Sequence, residues 1–293
     1  MTSPLLHGLV RTARPRQWMK NILVFAAPGA AGVLDDWGDL GRTVLAFVAF
    51  CLAASGIYFW NDALDVEADR IHPTKRFRPV AAGIVPVPTA KVVGTVLPVL
   101  ALVVAAGTGH WETVVVVAVY IIVTMLYSSW LKHVAVIDIV TIAAGFVLRA
   151  AAGAVAVDVP MSRWFVLCVT FGSLFIVIGK RYAELLEVGE GAGTRATLDV
   201  YDIGYLRILL AVSLGGALLS YCVWAFETAA LSTSDLPLYE LTIVPMMIAL
   251  FRYLLVLESG RGAAPEEVFA SDRVLQLTGL CWLVVYGAAV YAK

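Results

Sequence analysis

Charge is scarce in this chain. Only 15% of its 293 residues are Asp, Glu, Lys or Arg, against 60% hydrophobic, and the mean hydropathy is +0.86. A soluble domain of this length needs about a quarter of its residues charged, so a water-soluble globule is excluded. Cysteine is equally sparse. Cys51, Cys168, Cys222 and Cys281 all fall in apolar stretches and lack the paired spacing of a metal site, which makes them small packing residues rather than disulfides or ligands. The four histidines, His7, His72, His110 and His133, include no evident general base. There is no low-complexity tract, heptad run or soluble appendage. The apolar segments are continuous rather than alternating, which excludes a β-barrel. No small-residue cleavage site follows the first apolar run, so that run is expected to stay in the mature protein.

What the chain has in abundance is apolar helix. Windows long enough to span a bilayer fall near 18–34, 40–60, 88–107, 111–129, 134–157, 163–180, 205–227, 238–256 and 274–292. The predicted fold is an all-α integral membrane bundle of nine transmembrane helices, forming one polytopic domain over 1–293 with long polar loops near 61–87 and 180–204. The first span is the weakest, because Pro28 and Gly29 interrupt it. With the N-terminus inside, most of the 21 basic residues face the cytoplasm, and the outer loops carry Asp35, Asp36, Asp39, Glu112, Asp158, Glu227, Asp235 and Glu240. The positive-inside rule selects that orientation. Trp18, Trp60, Trp111, Trp130, Trp164 and Tyr239, near span ends, read as interface anchors.

The second span ends in Asn61-Asp62-Ala63-Leu64-Asp65-Val66-Glu67-Ala68-Asp69. Asp62, Asp65 and Asp69 are spaced i, i+3, i+7 and share one helical face, with Asn61 at its edge. Carboxylates at a membrane rim are costly unless a cation or a wet cavity satisfies them. Clustered hard oxygens suit Mg²⁺, whose remaining ligands are usually water and substrate phosphate. The basic run that follows, with Lys75 and Arg78, suits phosphate oxygens. The stretch is therefore a candidate magnesium–diphosphate site, with Asn61, Asp62, Asp65 and Asp69 as metal ligands and Asp62, Asp65 and Asp69 as the catalytic acids. A solvated helix end with ordinary interfacial charge is the simpler alternative. His72 and Arg76 have no assigned role.

This Asn-Asp-x-x-Asp-x-x-x-Asp pattern resembles the first aspartate-rich motif of the UbiA superfamily of membrane prenyltransferases. The resemblance extends to Arg14-Pro15-Arg16-Gln17-Trp18-Met19-Lys20-Asn21, to Tyr127-Ser128-x-x-Leu131-Lys132 and to Arg149-x-x-x-Gly153. It implies a UbiA-type bundle with a cytoplasmic-side site, and substrate contacts at Lys20, Tyr127 and Lys132. Lys132 is equally suited to snorkel toward lipid headgroups, and Lys20 carries the same ambiguity. The family usually has a second acid-rich motif between helices 6 and 7. Here that region reads Gly179-Lys180-Arg181-Tyr182-Ala183-Glu184-Leu185, two cations and one acid. The substitution resembles the branch that moves phosphoribosyl groups onto decaprenyl phosphate, whose substrates carry additional phosphates. On this reading Lys180, Arg181 and Glu184 bind substrate; Lys180 and Glu184 could also be a plain i, i+4 surface pair.

Further along the same loop, Asp199 and Asp202 are candidates either for a second metal or for ordering the loop. The glycines at 189, 191 and 193 suit a flexible connection or a phosphate cradle. Asp138 and Arg149 lie on one helical face about 16 Å apart, too far to pair. Asp138 is expected to border the site, and Arg149 to hold helix-terminal carbonyls.

The resemblance implies phosphoribosyl diphosphate as donor, a polyprenyl phosphate as acceptor, Mg²⁺ as cofactor, and a product destined for bacterial cell-wall arabinose donors. An ionised acceptor phosphate needs no strong base, which suits the sparse histidines. Prenyl transfer to an aromatic acceptor is the alternative within the same fold. A transporter is the alternative outside it, and would gather its polar residues at the bilayer midplane. Bilayer lipid is an expected partner, nucleic acid is not, and homo-oligomerisation is left open.

Overall fold

The computed structural model of the protein describes residues 4–188, 200–232, 234, 236–260, 262 and 264–291. Among them there is no strand. Helix α1 (Pro4–Ala13) leads into a 3₁₀ helix (Pro15–Phe25), which continues directly as α2 (Ala26–Ala31). Then follow α3 (Trp37–Leu64), α4 (Val66–Ile71), α5 (Val87–Ala106), α6 (Trp111–Ser129), α7 (Ile137–Ala156), α8 (Arg163–Val188), α9 (Ile203–Ala229), α10 (Leu238–Leu241), α11 (Ile243–Glu258), α12 (Pro265–Ser271) and α13 (Arg273–Tyr291). Eight stretches among the described residues are long and apolar enough to cross a membrane: α3, α5, α6, α7, α8, α9, α10 with α11, and α13.

The first of the nine predicted spans differs. Residues 15–31 form the 3₁₀ helix and short α2 instead of one α-helix. The cause is a three-residue period. Trp18 Nε1 donates to Ser55 Oγ at 3.1 Å, Asn21 Nδ2 donates to Cys51 Sγ at 3.2 Å, and Val24 is fully buried. Residues three apart eclipse one another in a 3₁₀ helix but drift around an α-helix. The larger 3₁₀ rise gives the combined segment a length of up to about 31 Å, close to one bilayer core.

The chain divides into two compact units. The first comprises Met1–Gly29, Val33–Ser129 and Leu148–Pro160. Its core includes Val24, Ala46, Ala49, Phe50, Ala53, Ala101, Ala105 and Tyr120. Helices α3 and α5 pack closely because small residues line the contact; a Cβ on Gly56 would lie 2.4 Å from Pro98 Cδ. The 3₁₀ helix approaches α7 closer still. A Cβ on Gly153 would sit 1.7 Å from the Val24 carbonyl oxygen, and that oxygen belongs to backbone that cannot swing aside. Gly153→Ala is therefore expected to destabilise the protein by about 1–3 kcal/mol through overpacking, read as a lower melting temperature of the purified protein. An unchanged melting curve would contradict this docking.

The second unit comprises Ala30–Gly32, Trp130–Val147 and Met161–Lys293. Phe175, Ile178, Tyr182, Leu206, Leu210, Tyr253 and Leu257 form its core. Polar caps set its helix starts. Asp202 Oδ1 accepts from the Tyr205 N–H at 2.8 Å and begins α9. Asp272 accepts from the Leu275 N–H at 3.0 Å at the start of α13, and Arg252 donates to the same carboxylate at 2.9 Å. The Arg252 guanidinium, with the cap behind it, holds the Asp272 carboxyl below the usual carboxylate range.

Candidate active site

A single polar stripe on α3 organises the first unit's charged cluster. Cys51, Ser55, Tyr58 and Asp62 recur at helical spacing, and each meets the segment around the 3₁₀ helix. Cys51 accepts from Asn21, and Ser55 accepts from Trp18 while donating to the Ala13 carbonyl at 3.0 Å. Tyr58 lies under the Arg14 guanidinium, 4.6 Å from ring centroid to Cζ. Arg14 Nη2 donates to Asp62 Oδ1 at 2.6 Å. Arg14 holds a left-handed backbone, φ 54° and ψ 60°, rare for a residue with a side chain and typical of functional positions.

Asp65 is where α3 gives way to α4. Its φ of −89° and ψ of 7° leave the helical region, yet the i, i+4 hydrogen bonds persist through the bend, Asp65 N–H to Asn61 O at 2.9 Å and Asp69 N–H to Asp65 O at 2.8 Å. The bend therefore re-aims the stripe without scattering it. Arg78 Nη1 reaches both outer acids, Asp69 Oδ2 at 2.7 Å and Asp62 Oδ1 at 3.3 Å. The Asp62 and Asp69 side chains are only 2% and 4% exposed, whereas those of Arg14 and Arg78 are each 30% exposed. Val66, Val80 and Val85 pack nearby. Asn61 and Asp65 are half-buried, and Lys75 is exposed. Lys20 donates to Gln17 Oε1 within the 3₁₀ helix, and Tyr127, near the end of α6, is half-buried.

Deeper in this unit Arg149 bonds side chains. Its Nε donates to Asn21 Oδ1 at 2.8 Å and its Nη2 to Tyr120 Oη at 2.9 Å. The expected helix-end carbonyls do not describe these two bonds. With Gly153 one turn on, Arg149 fixes the 3₁₀ helix in place.

The second unit holds its own charged cluster. Arg181, 2% exposed, donates from Nε to Asp138 Oδ2 at 3.1 Å and from Nη1 to Glu184 Oε2 at 2.8 Å. Asp138 is fully buried and also accepts from Tyr201 Oη at 2.7 Å. Tyr201 in turn accepts from the Val136 N–H at 2.6 Å, where Val136 has a positive φ of 69°, a marked outlier for a β-branched residue. Burial, with the bond to Asp138 behind it, pushes the Tyr201 hydroxyl well above its ordinary value. Lys180 is the outward member of this group: its side chain is 40% exposed and lies 3.9 Å from Glu184. Lys132 sits half-buried in a 3₁₀ turn, Leu131–His133. Asp202 is the N-cap of α9. Asp199 and the glycines at 189, 191 and 193 lie outside the described residues.

The sequence-based candidates Asp62, Asp69 and Arg78 are thus gathered in one place. Arg14, their partner 48 residues away from Asp62, was missed as a site residue. The signal available was the run of polar residues up α3, which marks the face that a polar segment must cover.

Among the described residues, no three His, Cys, Asp or Glu side chains converge as a metal cage. The donor set nevertheless fits Mg²⁺, which is usually held through one or two carboxylates and completed by water and phosphate. Asp62 and Asp69 are two such carboxylates, joined through Arg78, with Asn61 just before the first and Asp65 between them.

Comparison with known proteins gives a consistent result. The model of the UbiA prenyltransferase family matches residues 22–285. The decaprenyl-phosphate phosphoribosyltransferase of Mycolicibacterium smegmatis is 46% identical, over 98% of this chain and 93% of that protein. The Corynebacterium glutamicum protein of the same name is 43% identical, over 98% and 88%. Among solved structures, a UbiA homolog from Archaeoglobus fulgidus bound to GPP and Mg²⁺ superposes with a TM-score of 0.73 at 17% identity, covering 98% of this chain and 100% of that one.

Proposed function

The chain belongs to the UbiA prenyltransferase family, and from that premise we propose that it is a multi-pass membrane enzyme transferring a 5-phosphoribosyl group from phosphoribosyl diphosphate to decaprenyl phosphate or a similar polyprenyl phosphate, with release of diphosphate. The observation that carries the reading is similarity along 98% of the chain to relatives of that name. The partly exposed Lys180, where the family usually has acid, supports it.

Asp62, Asp65 and Asp69, with Asn61, are proposed to hold Mg²⁺. Mg²⁺ held by these side chains would supply positive charge to offset that of a departing diphosphate. Arg78, Arg14, Lys75 and Lys20 supply cations for phosphate oxygens, the arginines through a bidentate fork. Lys180 and Lys132 are proposed as further phosphate contacts. Arg181 is engaged by Asp138 and Glu184 and acts by fixing Glu184 and the turn at Val136. The attacking oxygen belongs to an acceptor phosphate already ionised near neutral pH, so catalysis rests on positioning and charge. The crowd of basic residues next to the aspartates supports a cytoplasmic orientation in the plasma membrane.

The test gives the purified protein, with magnesium, labelled phosphoribosyl diphosphate and decaprenyl phosphate in one arm, and a polyprenyl diphosphate with an aromatic acid in the other. Labelled lipid in the first arm alone is expected. Prenylated acid in the second arm, with no labelled lipid in the first, would refute the assignment.

A further inference from the structure

Two of the three aspartates proposed to hold the metal, Asp62 and Asp69, are already paired with arginine within the chain. Asp62 Oδ1 accepts from Arg14 at 2.6 Å and from Arg78 at 3.3 Å, and Arg78 also serves Asp69 at 2.7 Å. We propose that Arg14 and Arg78 are exchangeable counter-ions, which occupy the carboxylates in the free protein and pass to the diphosphate when it arrives, so that metal and diphosphate load together. This rests on the functional reading above and deepens it.

Three observations support the exchange. The first is charge balance. Asp62 and Asp69 face two guanidinium groups, and arginine stays protonated at any working pH, so a bare dication finds no uncommitted charge on these two buried carboxylates. If it displaced an arginine, it would leave that guanidinium without its carboxylate and next to a divalent cation, a like-charge arrangement that costs binding energy. An incoming diphosphate removes that obstacle, because its oxygens give each guanidinium a bidentate acceptor as the carboxylates turn to the metal.

The second is order in depth. The acids are 2% and 4% exposed and the arginines 30%, so an anion from solution meets the guanidinium groups before the metal ligands. The third is the Arg14 backbone. Its left-handed conformation at the junction of α1 and the 3₁₀ helix, with the guanidinium resting on Tyr58 at 4.6 Å, holds the side chain on an aromatic face. From there it can exchange one oxygen partner for another without leaving the ring, and the 3₁₀ helix behind it is fixed by Arg149 and Asn21.

Such exchange makes metal and diphosphate binding mutually dependent, and linkage requires the dependence to be equal in both directions. The test uses Mn²⁺ as a spectroscopic stand-in for Mg²⁺ and inorganic diphosphate in place of donor, with binding measured by equilibrium dialysis against a protein-free control for the soluble complex. Wild-type protein is expected to bind Mn²⁺ about tenfold more tightly, or better, with diphosphate present, within the usual range of coupling between sites. Arg78→Gln and Arg14→Gln should each tighten binding of Mn²⁺ alone and shrink the coupling, whereas Arg78→Lys should keep most of it.

The wild-type measurement needs no variant to fold. Equal Mn²⁺ affinity with and without diphosphate would overturn the proposal, as would folded Gln variants that bind Mn²⁺ alone no better than wild type. Phosphoribosyl transfer with no coupling would refute the exchange alone. Coupling without transfer to lipid would refute the functional reading alone.

Discussion

Asp62→Asn is expected to lower the rate of transfer by about 10²–10³-fold, the usual cost of removing one preorganised electrostatic group from a reacting centre. The side chain keeps its volume and one acceptor oxygen, so Arg14 and Arg78 retain hydrogen-bonding partners while the charge that would hold the metal is lost. Asp69→Asn should behave alike, because Arg78 treats the two acids as a pair at 2.7 and 3.3 Å. Glu67 sits between them in sequence but is 81% exposed and pairs with Arg70 at 2.8 Å. Its Gln variant is the control and should work like wild type. A steady-state assay on folded protein decides the matter, and an Asp62→Asn enzyme with undiminished turnover would remove that residue from the site.

The second large effect is on stability. Arg181→Met should leave the fully buried Asp138 without its counter-ion and destabilise the protein by about 3–5 kcal/mol, the cost of breaking a buried pair from one side. Tyr201 would still donate to Asp138, but a neutral hydroxyl offsets little of a buried charge. Replacing both partners, Arg181→Met with Asp138→Leu, should recover much of the loss, since an apolar pair carries no desolvation penalty. Melting temperatures of the two single variants and the double variant test this. Additive losses would mean that the two side chains do not act as a pair.

Much of this architecture is legible in the residues, because a bilayer leaves few options: apolar runs of sufficient length become helices. The aspartate stripe is legible for a similar reason, since its spacing and its cost at a membrane rim admit few other readings. Local geometry is less so. The segment 18–34 looks like one more apolar helix, but contacts at Ser55, Cys51 and Gly153 select a three-residue period that composition does not encode. The bend at Asp65 depends on the α3–α4 junction and not on any helix-breaking residue.

Long-range pairs are the least legible. Arg14 and Asp62 are 48 residues apart, and Arg149 and Asn21 are 128 apart. Arg14 stands in a basic cluster where any member could have reached the acids. Arg181 reads as a phosphate contact beside Lys180, but one residue of offset turns it toward Asp138 and leaves Lys180 outward. A helical step of about 100° separates the two, and which of them faces inward is settled by packing. Asp202 follows helix-capping chemistry, a local signal available in Asp202-Ile203-Gly204-Tyr205 and in keeping with the loop-ordering alternative.

The most direct measurement is mass-resolved product analysis of a single turnover, with the enzyme freed of divalent ions by chelation and then supplied with Mg²⁺. A phosphoribosyl lipid and diphosphate should appear in equal amounts, absent before magnesium is restored and present after. Turnover that persists under chelation, or diphosphate released with the lipid unmodified, would contradict a metal-held diphosphate leaving from the Asp62–Asp69 stripe.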